Sequence, residues 1–247
     1  FDDDNRPFLK AKSPVRNLDL YLERHEEVAF LVFKEYTHSQ YLGRKDKDVV
    51  AAPTPSNEYL VVTSDDMAGA MKSLLAEVPA ASRMFPEFKK FATGDRVPAP
   101  YLFMYYLLPL LPDYLDRLSK TQQHLVTMLS DVIKDGYGKE YHDADTCFEQ
   151  NKVTRRLTQY LIKPGDVIVG EKDSHLVAFI ASSWAQNSSI HSSSLGEVQD
   201  RALPNDDESD ASEEADRTVQ CWQVKGWSWV FDGSFMKKSV TLDIRPK

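Results

Sequence analysis

The chain has 247 residues, 42% of them hydrophobic and 28% charged, which excludes a wholly disordered protein. Its formal net charge is −8, and seven of the 38 acids lie in Asp206–Asp216, so the remaining 31 acids nearly balance the 30 bases. A nearly neutral body is a poor match for a nucleic-acid backbone, and no apolar run reaches the roughly 18 residues of a membrane-spanning helix. With no visible signal peptide and only two cysteines, Cys147 and Cys221, the sequence predicts an intracellular protein, cytoplasmic or nuclear.

The first strands and the first long helix follow from apolar patterns between residues 28 and 79. Val28–Phe33 is a continuous apolar run, which predicts a strand buried on both faces, and Tyr59–Val62 predicts a second strand that can pair with it. Ser64 is a predicted helix N-cap, and Pro79 is predicted to end that helix. One apolar stripe runs along the helix: Met67, Ala70, Met71, Leu74, Leu75 and Val78.

Helices dominate the middle of the chain. Tyr101–Leu111 is rich in Leu, Phe, Met and Tyr and is interrupted by proline, which predicts one buried helix or two short ones. Ser119 and Gln122 have the spacing of a capping box, and an apolar helical face follows them. Gly136 and Gly138 are predicted to end that helix, because glycine is a poor helix former.

Strand patterns replace helical ones after residue 162. The segment 163–166, Lys-Pro-Gly-Asp, has the order of a type II turn, with proline second and glycine third. Val167–Val169 and Leu176–Ala181 are the strands predicted to follow this turn. Residues 186–218 are rich in Ser, Asp, Glu and Asn and hold almost no large apolar residue, so they predict a flexible acidic insertion.

The last thirty or so residues carry the pattern of a β-hairpin. Asp232-Gly233 is a typical two-residue hairpin loop, and pairing outward from it sets Trp229 opposite Met236. The large apolar residues of the first hairpin strand have even numbers before Gly226 and mostly odd numbers after it, so a bulge or bend is predicted at this glycine. In this register one face holds nearly all the large apolar side chains and is predicted to face the core: Trp227, Trp229, Phe231, Met236, Val240, Leu242 and Ile244.

Together these elements predict an α+β protein with two parts. Residues 1–160 are predicted to form a helical part with a small sheet. Residues 161–247 are predicted to form a mostly antiparallel, barrel-like β part that contains the acidic insertion. The change from helical to strand patterns near residue 162 places the boundary.

The sequence contains no recognised catalytic motif. Its only Gly-Lys pair, Gly138-Lys139, is followed by Glu140 and has Ile133 at the earlier glycine position, so it cannot form a nucleotide-binding phosphate loop. Lipase-type and zinc-protease signatures are also missing from the sequence. We therefore expect no catalytic residue, no cofactor and no metal ligand in this chain.

One weak metal pattern lies on a predicted helix. His142, Asp145 and Glu149 would share a helical face, but no second histidine lies nearby, so an ordinary solvated surface is the preferred interpretation. Two cysteines without a local signature are most often inert thiols. The alternative that stays open is an enzyme with a metal- or thiol-dependent site on His142, Asp145 and Cys147.

Candidate contact residues lie on the type II turn, at one tryptophan and in the acidic insertion. Trp222 has an even number, whereas the residues of the same strand that are predicted to face the core have odd numbers, so a surface position is favoured for Trp222. The acidic insertion is a candidate docking tail or kinase target, with a solvated loop as the simpler interpretation. The predicted protein-contact residues are Lys163, Asp166, Trp222, Asp206, Asp207 and Glu208. The predicted structural turn residues are Pro164, Gly165, Asp232 and Gly233.

The turn and the hairpin also carry a family resemblance. Tyr160–Val169 and Trp227–Phe235 resemble the turn and the closing hairpin of the uncharacterised domain that precedes the ATPase core in many fungal AAA-type ATPases. Leu22–His25, Val28–Tyr36 and the helices of residues 101–133 are similar to that domain as well. The resemblance therefore spans most of the chain. Two differences are a tryptophan at position 229, where Tyr or Phe is common, and the acidic insertion.

The resemblance implies a non-catalytic N-terminal accessory domain that recruits substrate or adaptor proteins to the motor or regulates it. It also implies a downstream AAA ATPase core in the same polypeptide, which would bind ATP and Mg²⁺, and a homo-hexameric full-length protein. A first residue other than methionine agrees with a piece of a longer chain. Single-stranded nucleic-acid binding through the β part is a further hypothesis that stays open.

Overall fold

The computed structural model describes residues 15–36, 55–79, 81–85, 92–172, 175–189 and 220–244. The chain divides into two structural units, residues 1–145 and residues 146–247. Helices and a three-stranded sheet occupy the first unit, and a five-stranded sheet occupies the second. The predicted α+β class is confirmed, with a helical region before a C-terminal antiparallel sheet. The strands in the described ranges form no closed barrel, so the barrel-like detail is not supported.

The first unit contains most of the helices, the last of which continues into the second unit. Its elements are α1 (Leu18–Arg24), β1 (Phe30–Glu35), β2 (Asn57–Val62), α2 (Asp65–Glu77), α3 (Ala81–Met84), β3 (Arg96–Pro98), α4 (Leu102–Leu107), α5 (Leu111–Tyr114) and α6 (Lys120–Glu149). Two short 3₁₀ segments, Leu108–Leu110 and Leu115–Arg117, connect α4, α5 and α6. Among the described residues, no helix combines the length and the apolar character needed to cross a bilayer.

The three-stranded sheet has β2 at its centre, with β1 and β3 antiparallel on either side. Leu60 of β2 lies opposite Val32 and Val97, and Leu60 and Val97 are buried. Val32 remains 37% exposed. The predicted pairing of the first two strands is confirmed. The prediction that the first strand is buried on both faces is wrong, because β1 is an edge strand and each of its residues is half-buried or exposed.

Two predicted helix N-termini are confirmed by their capping hydrogen bonds. The Ser64 hydroxyl oxygen accepts from the Met67 N–H at 3.1 Å. Ser119 and Gln122 form a reciprocal capping box, in which the Ser119 N–H donates to Gln122 Oε1 at 3.1 Å and the Gln122 N–H donates to Ser119 Oγ at 3.4 Å. The stripe predicted along α2 is mostly buried, as is a second alanine: Met67, Ala68, Ala70, Met71, Leu74 and Val78.

Helix α6 continues through two glycines that were predicted to end it. It passes Gly136 and Gly138 and ends at Glu149, so that prediction is wrong. Each glycine costs only about 1 kcal/mol relative to alanine in a helix interior. Tyr141 and Ala144, which lie beyond the glycines, are buried, and their packing stabilises the helical continuation.

The second unit is built on strands β4 (Val167–Lys172), β5 (His175–Ala181), β6 (Gln186–Ser189), β7 (Gln220–Phe231) and β8 (Phe235–Ile244). β4 pairs with β5, and β7 pairs with β8 along nearly its whole length. β5 and β6 pair with successive parts of β7. Residues 186–189 form β6 although the sequence placed them in the flexible insertion, because they complete the ladder beside β7. The rest of the predicted insertion, residues 190–218, lies outside the described residues.

The hairpin of β7 and β8 has a three-residue loop instead of the predicted two-residue loop. Phe231 lies opposite Phe235, and Trp229 lies opposite Lys237, one residue further along β8 than predicted. Gly233 has a φ of 87°, a left-handed conformation that favours glycine. The predicted register is therefore wrong by one residue, and this single difference decides which side chains face the core.

Candidate functional site

The sheet of the second unit has an inner face that is buried around Trp222 and Val224 and exposed near the hairpin loop, where Val230 and Met236 are 37% and 47% exposed. Its core cluster is Ile162, Ala181, Ala185, Trp222 and Val224, with Ile168 and Ile244 packed against it. Trp222 is only 8% exposed, so its predicted surface position is wrong. The loop explains the error: in the actual register the even-numbered residues of β7 share a face with the apolar even-numbered residues of β8.

The opposite face of the same sheet is apolar and exposed. The pairs Val167–Ile180 and Ile180–Trp227 join the three strands β4, β5 and β7 on one face, and β8 continues it. We call this surface the outer face and define it by its large apolar residues: Val167, Val169, Leu176, Ile180, Trp227, Trp229, Phe231 and Phe235. The tryptophans and Phe231 were predicted to face the core, and that prediction is wrong.

The exposure of the outer face is large. Leu176 is 82% exposed, Phe235 74% and Trp229 61%, and Val167, Val169 and Phe231 are also well above half. Single exposed apolar residues are ordinary on protein surfaces, but contiguous apolar patches mark interaction sites. The outer face is therefore a candidate interaction surface.

Aromatic contacts hold part of this surface in place. The Trp227 and Trp229 rings meet edge-on with centroids 5.7 Å apart, and the Phe231 and Phe235 rings lie 5.1 Å apart. Lys237 Nζ lies 4.1 Å from the centroid of the Trp227 ring. Such cation–π contacts contribute about 0.5–1 kcal/mol at exposed sites. Contacts of this kind restrict the side chains, which would lower the entropic cost of burying them.

Gly226 allows the hairpin to approach β5 closely. A Cβ at this position would lie 2.8 Å from the carbonyl oxygen of Ile180, so only glycine fits without displacing backbone. β7 is unbroken from Gln220 to Phe231, so the bulge predicted at Gly226 is wrong. The irregular segment lies opposite, at residues 182–185, where the Lys225 N–H donates to Ser183 Oγ at 3.0 Å.

The Lys-Pro-Gly-Asp segment forms a closed turn at the start of β4. The Asp166 N–H donates to the Lys163 carbonyl at 3.2 Å, and Gly165 has a φ of 94°, as a type II turn requires. The Asp166 carboxylate accepts from the Lys163 N–H at 3.0 Å and from Lys163 Nζ at 2.6 Å. Pro164 is buried, and the Gly165 N–H donates to the Ala181 carbonyl at 2.8 Å. Both charged side chains thus take part in the turn itself, and their role in protein contact stays a prediction.

Residues 143–246 match the family model of DUF7025, a domain of unknown function. The chain contains a DUF7025 domain. The match confirms that this part of the chain resembles an uncharacterised domain. Nothing in the match refers to fungal AAA-type ATPases. No curated protein matches the chain, and no solved structure matches it. The turn and the whole outer face lie inside the DUF7025 domain.

The charges near the outer face are unevenly distributed. By register, Lys225 and Lys237 occupy positions on this face within the hairpin. Glu171 and Asp243 occupy register positions at its two ends, and Asp243 accepts a hydrogen bond from Gln223 Nε2 at 3.0 Å. The part of the DUF7025 domain that holds the tryptophans is therefore bordered by cations. The sequence did not reveal this site, because the alternation of apolar residues along β7 was interpreted with the wrong hairpin register.

The predicted acidic contact residues Asp206, Asp207 and Glu208 lie outside the described residues.

The residues of the metal and thiol alternative are spread along α6. His142, Asp145 and Glu149 are exposed, and Cys147 is half-buried. Asp145 accepts a hydrogen bond from the Tyr105 hydroxyl at 2.5 Å. Burial, together with this hydrogen bond, raises the pKa of Tyr105. In the parts of the chain that the structure describes, no three His, Cys, Asp or Glu side chains are grouped to hold a metal ion.

The first unit contains a tyrosine cluster that sequence patterns did not reveal. The Tyr101 hydroxyl donates to Glu58 Oε1 at 3.0 Å, and Lys34 Nζ lies 3.3 Å from Glu58 Oε2. The Tyr141 hydroxyl donates to the Pro100 carbonyl at 2.6 Å. Burial, more than the nearby charge of Glu58, raises the pKa of Tyr101. These hydroxyls therefore stay protonated and act as structural hydrogen-bond donors.

Proposed function

We propose that the chain is a non-catalytic, protein-binding accessory module of a fungal AAA-type ATPase. In this proposal it recruits substrate or adaptor proteins to the motor or regulates it. The observation that carries the proposal is the outer face of the DUF7025 domain, where Leu176, Trp229 and Phe235 are each more than 60% exposed. Burial of apolar surface contributes about 25 cal/mol per Å², so a partner that covers these side chains gains substantial free energy.

The link to an ATPase motor has a different basis. It depends on the resemblance of the turn at residues 163–166 and of the hairpin around Asp232-Gly233 to the domain that precedes the ATPase core. In the proposal, ATP and Mg²⁺ bind in a downstream core of a homo-hexameric protein, and the phosphate loop that this chain lacks lies there. A full-length reading frame without a Gly-x-x-x-x-Gly-Lys-Thr loop would overturn the link.

A second candidate function is single-stranded nucleic-acid binding. The specific observation in its favour is the exposure of Trp229, Phe231 and Phe235 beside Lys237, since exposed aromatics with nearby cations form base-stacking platforms. Two features favour a protein partner instead. The ring of Trp227 is already covered by an ammonium group. Half of the eight outer-face residues are aliphatic: Val167, Val169, Leu176 and Ile180.

Site-specific photocrosslinking in the full-length protein tests the proposal. A photoreactive benzoyl-phenylalanine at Phe235, 74% exposed on the outer face, is expected to give discrete protein adducts in cells. The matched control carries the same group at Lys134, an exposed position on α6, and is expected to give none of these adducts.

Three results would contradict the proposal. Equal adduct patterns at Phe235 and Lys134 would show that the outer face has no specific protein partner. Adducts at Phe235 that nuclease treatment removes would favour the nucleic-acid candidate. ATP turnover by the purified chain would contradict its non-catalytic role.

A further inference from the structure

We propose that the outer face binds an amphipathic helix of a partner protein, whose apolar stripe is flanked by acidic residues. This inference rests on the proposed protein-binding function and specifies the partner. The sheet supplies the apolar layer, and the helix supplies the second layer that a one-sided sheet needs to bury its exposed face. Lys225 and Lys237 supply the charge that selects the acidic flanks.

The form of the partner follows from the geometry of the sheet. An extended peptide would have to pair with an edge strand, and the edge strands of this sheet are β4, β6 and β8. β8 carries Lys237 and Lys238 at adjacent positions in its first half, β4 ends in Glu171 and Lys172, and β6 has only four residues. Lysines in an edge strand disfavour the addition of a further strand. The apolar side chains instead project from the flat of the sheet, on neighbouring strands from Val167 to Phe235. A helix that lies across these strands can cover them together.

The charge of the partner follows from the position of the lysines. Lys237 Nζ lies over the Trp227 ring, and Lys237 is paired with Trp229 across the hairpin. A partner that buries Trp229 also removes water from this ammonium group, and burying an unpaired charge is costly. A carboxylate at the edge of the partner's apolar stripe restores a partner for the lysine. A lysine at that position would add like-charge repulsion.

A second copy of this chain fits the same surface less well. Two outer faces packed by twofold symmetry would bring the same residues of both copies together. Each outer face has no acidic residue between its ends, because its only acidic register positions in the described strands are Glu171 and Asp243. Such a pair offers no central carboxylate to Lys225 or Lys237. The observations therefore favour a different, acidic partner.

A displayed peptide library tests the inference with the complete chain as bait. The library holds helix-forming peptides of about 18 residues, five turns, with a fixed Leu and Trp stripe and with Glu, Lys or Gln at each flanking position. Clones retained by the wild-type chain are expected to be enriched in Glu at the flanks. The double variant Lys225→Glu/Lys237→Glu is expected to reverse this preference to Lys, which a loss of folding could not produce.

Affinity measurements on an enriched peptide locate the contact. Trp229→Ser and Leu176→Ser are each expected to weaken binding at least about tenfold, because both side chains are exposed in the free chain and would be buried under the helix. Lys134→Ser on α6 is the control and is expected to leave the affinity unchanged. Circular dichroism checks that all variants keep the wild-type fold.

Several outcomes would overturn the inference. Enrichment of Lys or Gln flanks, or equal binding by the Trp229→Ser variant, contradicts the acidic-helix partner. Tighter binding of an oligothymidine or of vesicles with anionic lipid than of any library peptide also contradicts it, as does self-association through the outer face. If protein adducts form at Phe235 while no helix is enriched, the protein-binding function stands and the acidic-helix partner is wrong.

Discussion

At the scale of single residues, Glu58 shows how a covered charge is stabilised in the first unit. Its side chain is only 10% exposed and lies opposite Lys34 on the neighbouring strand. The Tyr101 hydroxyl supplies a second contact, at 3.0 Å. Hydrogen bonds to charged groups contribute more than neutral ones, about 1.5–3 kcal/mol, because an unsatisfied buried charge is costly. Tyr101 is therefore as important for its hydroxyl as for its ring.

Tyr101→Phe is expected to destabilise the chain by about 1.5–3 kcal/mol, since it removes a donor from a covered carboxylate and leaves the ring in place. Urea unfolding at neutral pH measures the change. Tyr105→Phe is the control with a smaller expected loss, because its acceptor, Asp145, is exposed. Equal losses in both variants would contradict a special role for the Glu58 contact.

The raised pKa of Tyr101 also sets the direction of a pH dependence in the same experiment. A tyrosine whose folded-state pKa is raised contributes stability below its ordinary pKa of about 10, and this contribution is lost as the pH rises toward the folded-state value. The wild-type chain is therefore expected to lose stability above about pH 10 more steeply than Tyr101→Phe. Parallel slopes would show that Tyr101 does not drive the alkaline loss.

At the scale of elements, Gly226 and Gly136 differ in how much space surrounds them. Gly226 lies where β7 meets β5, and an added Cβ would lie 2.8 Å from the Ile180 carbonyl oxygen. Gly136 lies in α6, and an added Cβ there would meet no atom within 4 Å. Sequence alone treats both as breaks in a regular pattern. The structure shows that one fits a close approach of two strands and the other is an uncrowded helical position.

Gly226→Ala and Gly136→Ala are expected to change stability in opposite directions. The first is expected to destabilise the chain by about 1–3 kcal/mol, as overpacking does, because backbone must move. The second is expected to stabilise it by up to about 1 kcal/mol, because alanine is the better helix former. Thermal or urea unfolding of both variants measures the difference. A destabilised Gly136→Ala or a stable Gly226→Ala would contradict this account of the two sites.

At the scale of the whole molecule, local signals predicted the elements, and long-range register could not be predicted. The caps at Ser64 and Ser119 depend on residues three positions away, so the sequence contains all the information they need. The hairpin depends on whether its loop has two residues or three, and Asp-Gly suits both. That one-residue difference moved Trp222 from the predicted surface to the core and Trp229 from the core to the surface. The candidate site was missed for this reason.

The triple variant Leu176→Ser/Trp229→Ser/Phe235→Ser tests whether the outer face serves binding instead of folding. If these side chains are exposed in the chain, their loss is expected to change the free energy of unfolding by less than about 1 kcal/mol in total, because surface substitutions have small effects. The same variant is expected to bind far less of a hydrophobic dye in its folded state, since the apolar patch is removed. The inner-face variant Val224→Ser is the control and is expected to cost several kcal/mol, because Val224 is fully buried in the core of the DUF7025 domain. A large loss of stability in the triple variant would mean that the outer face is covered within the chain, and both the protein-binding function and the helical partner would then lose their basis.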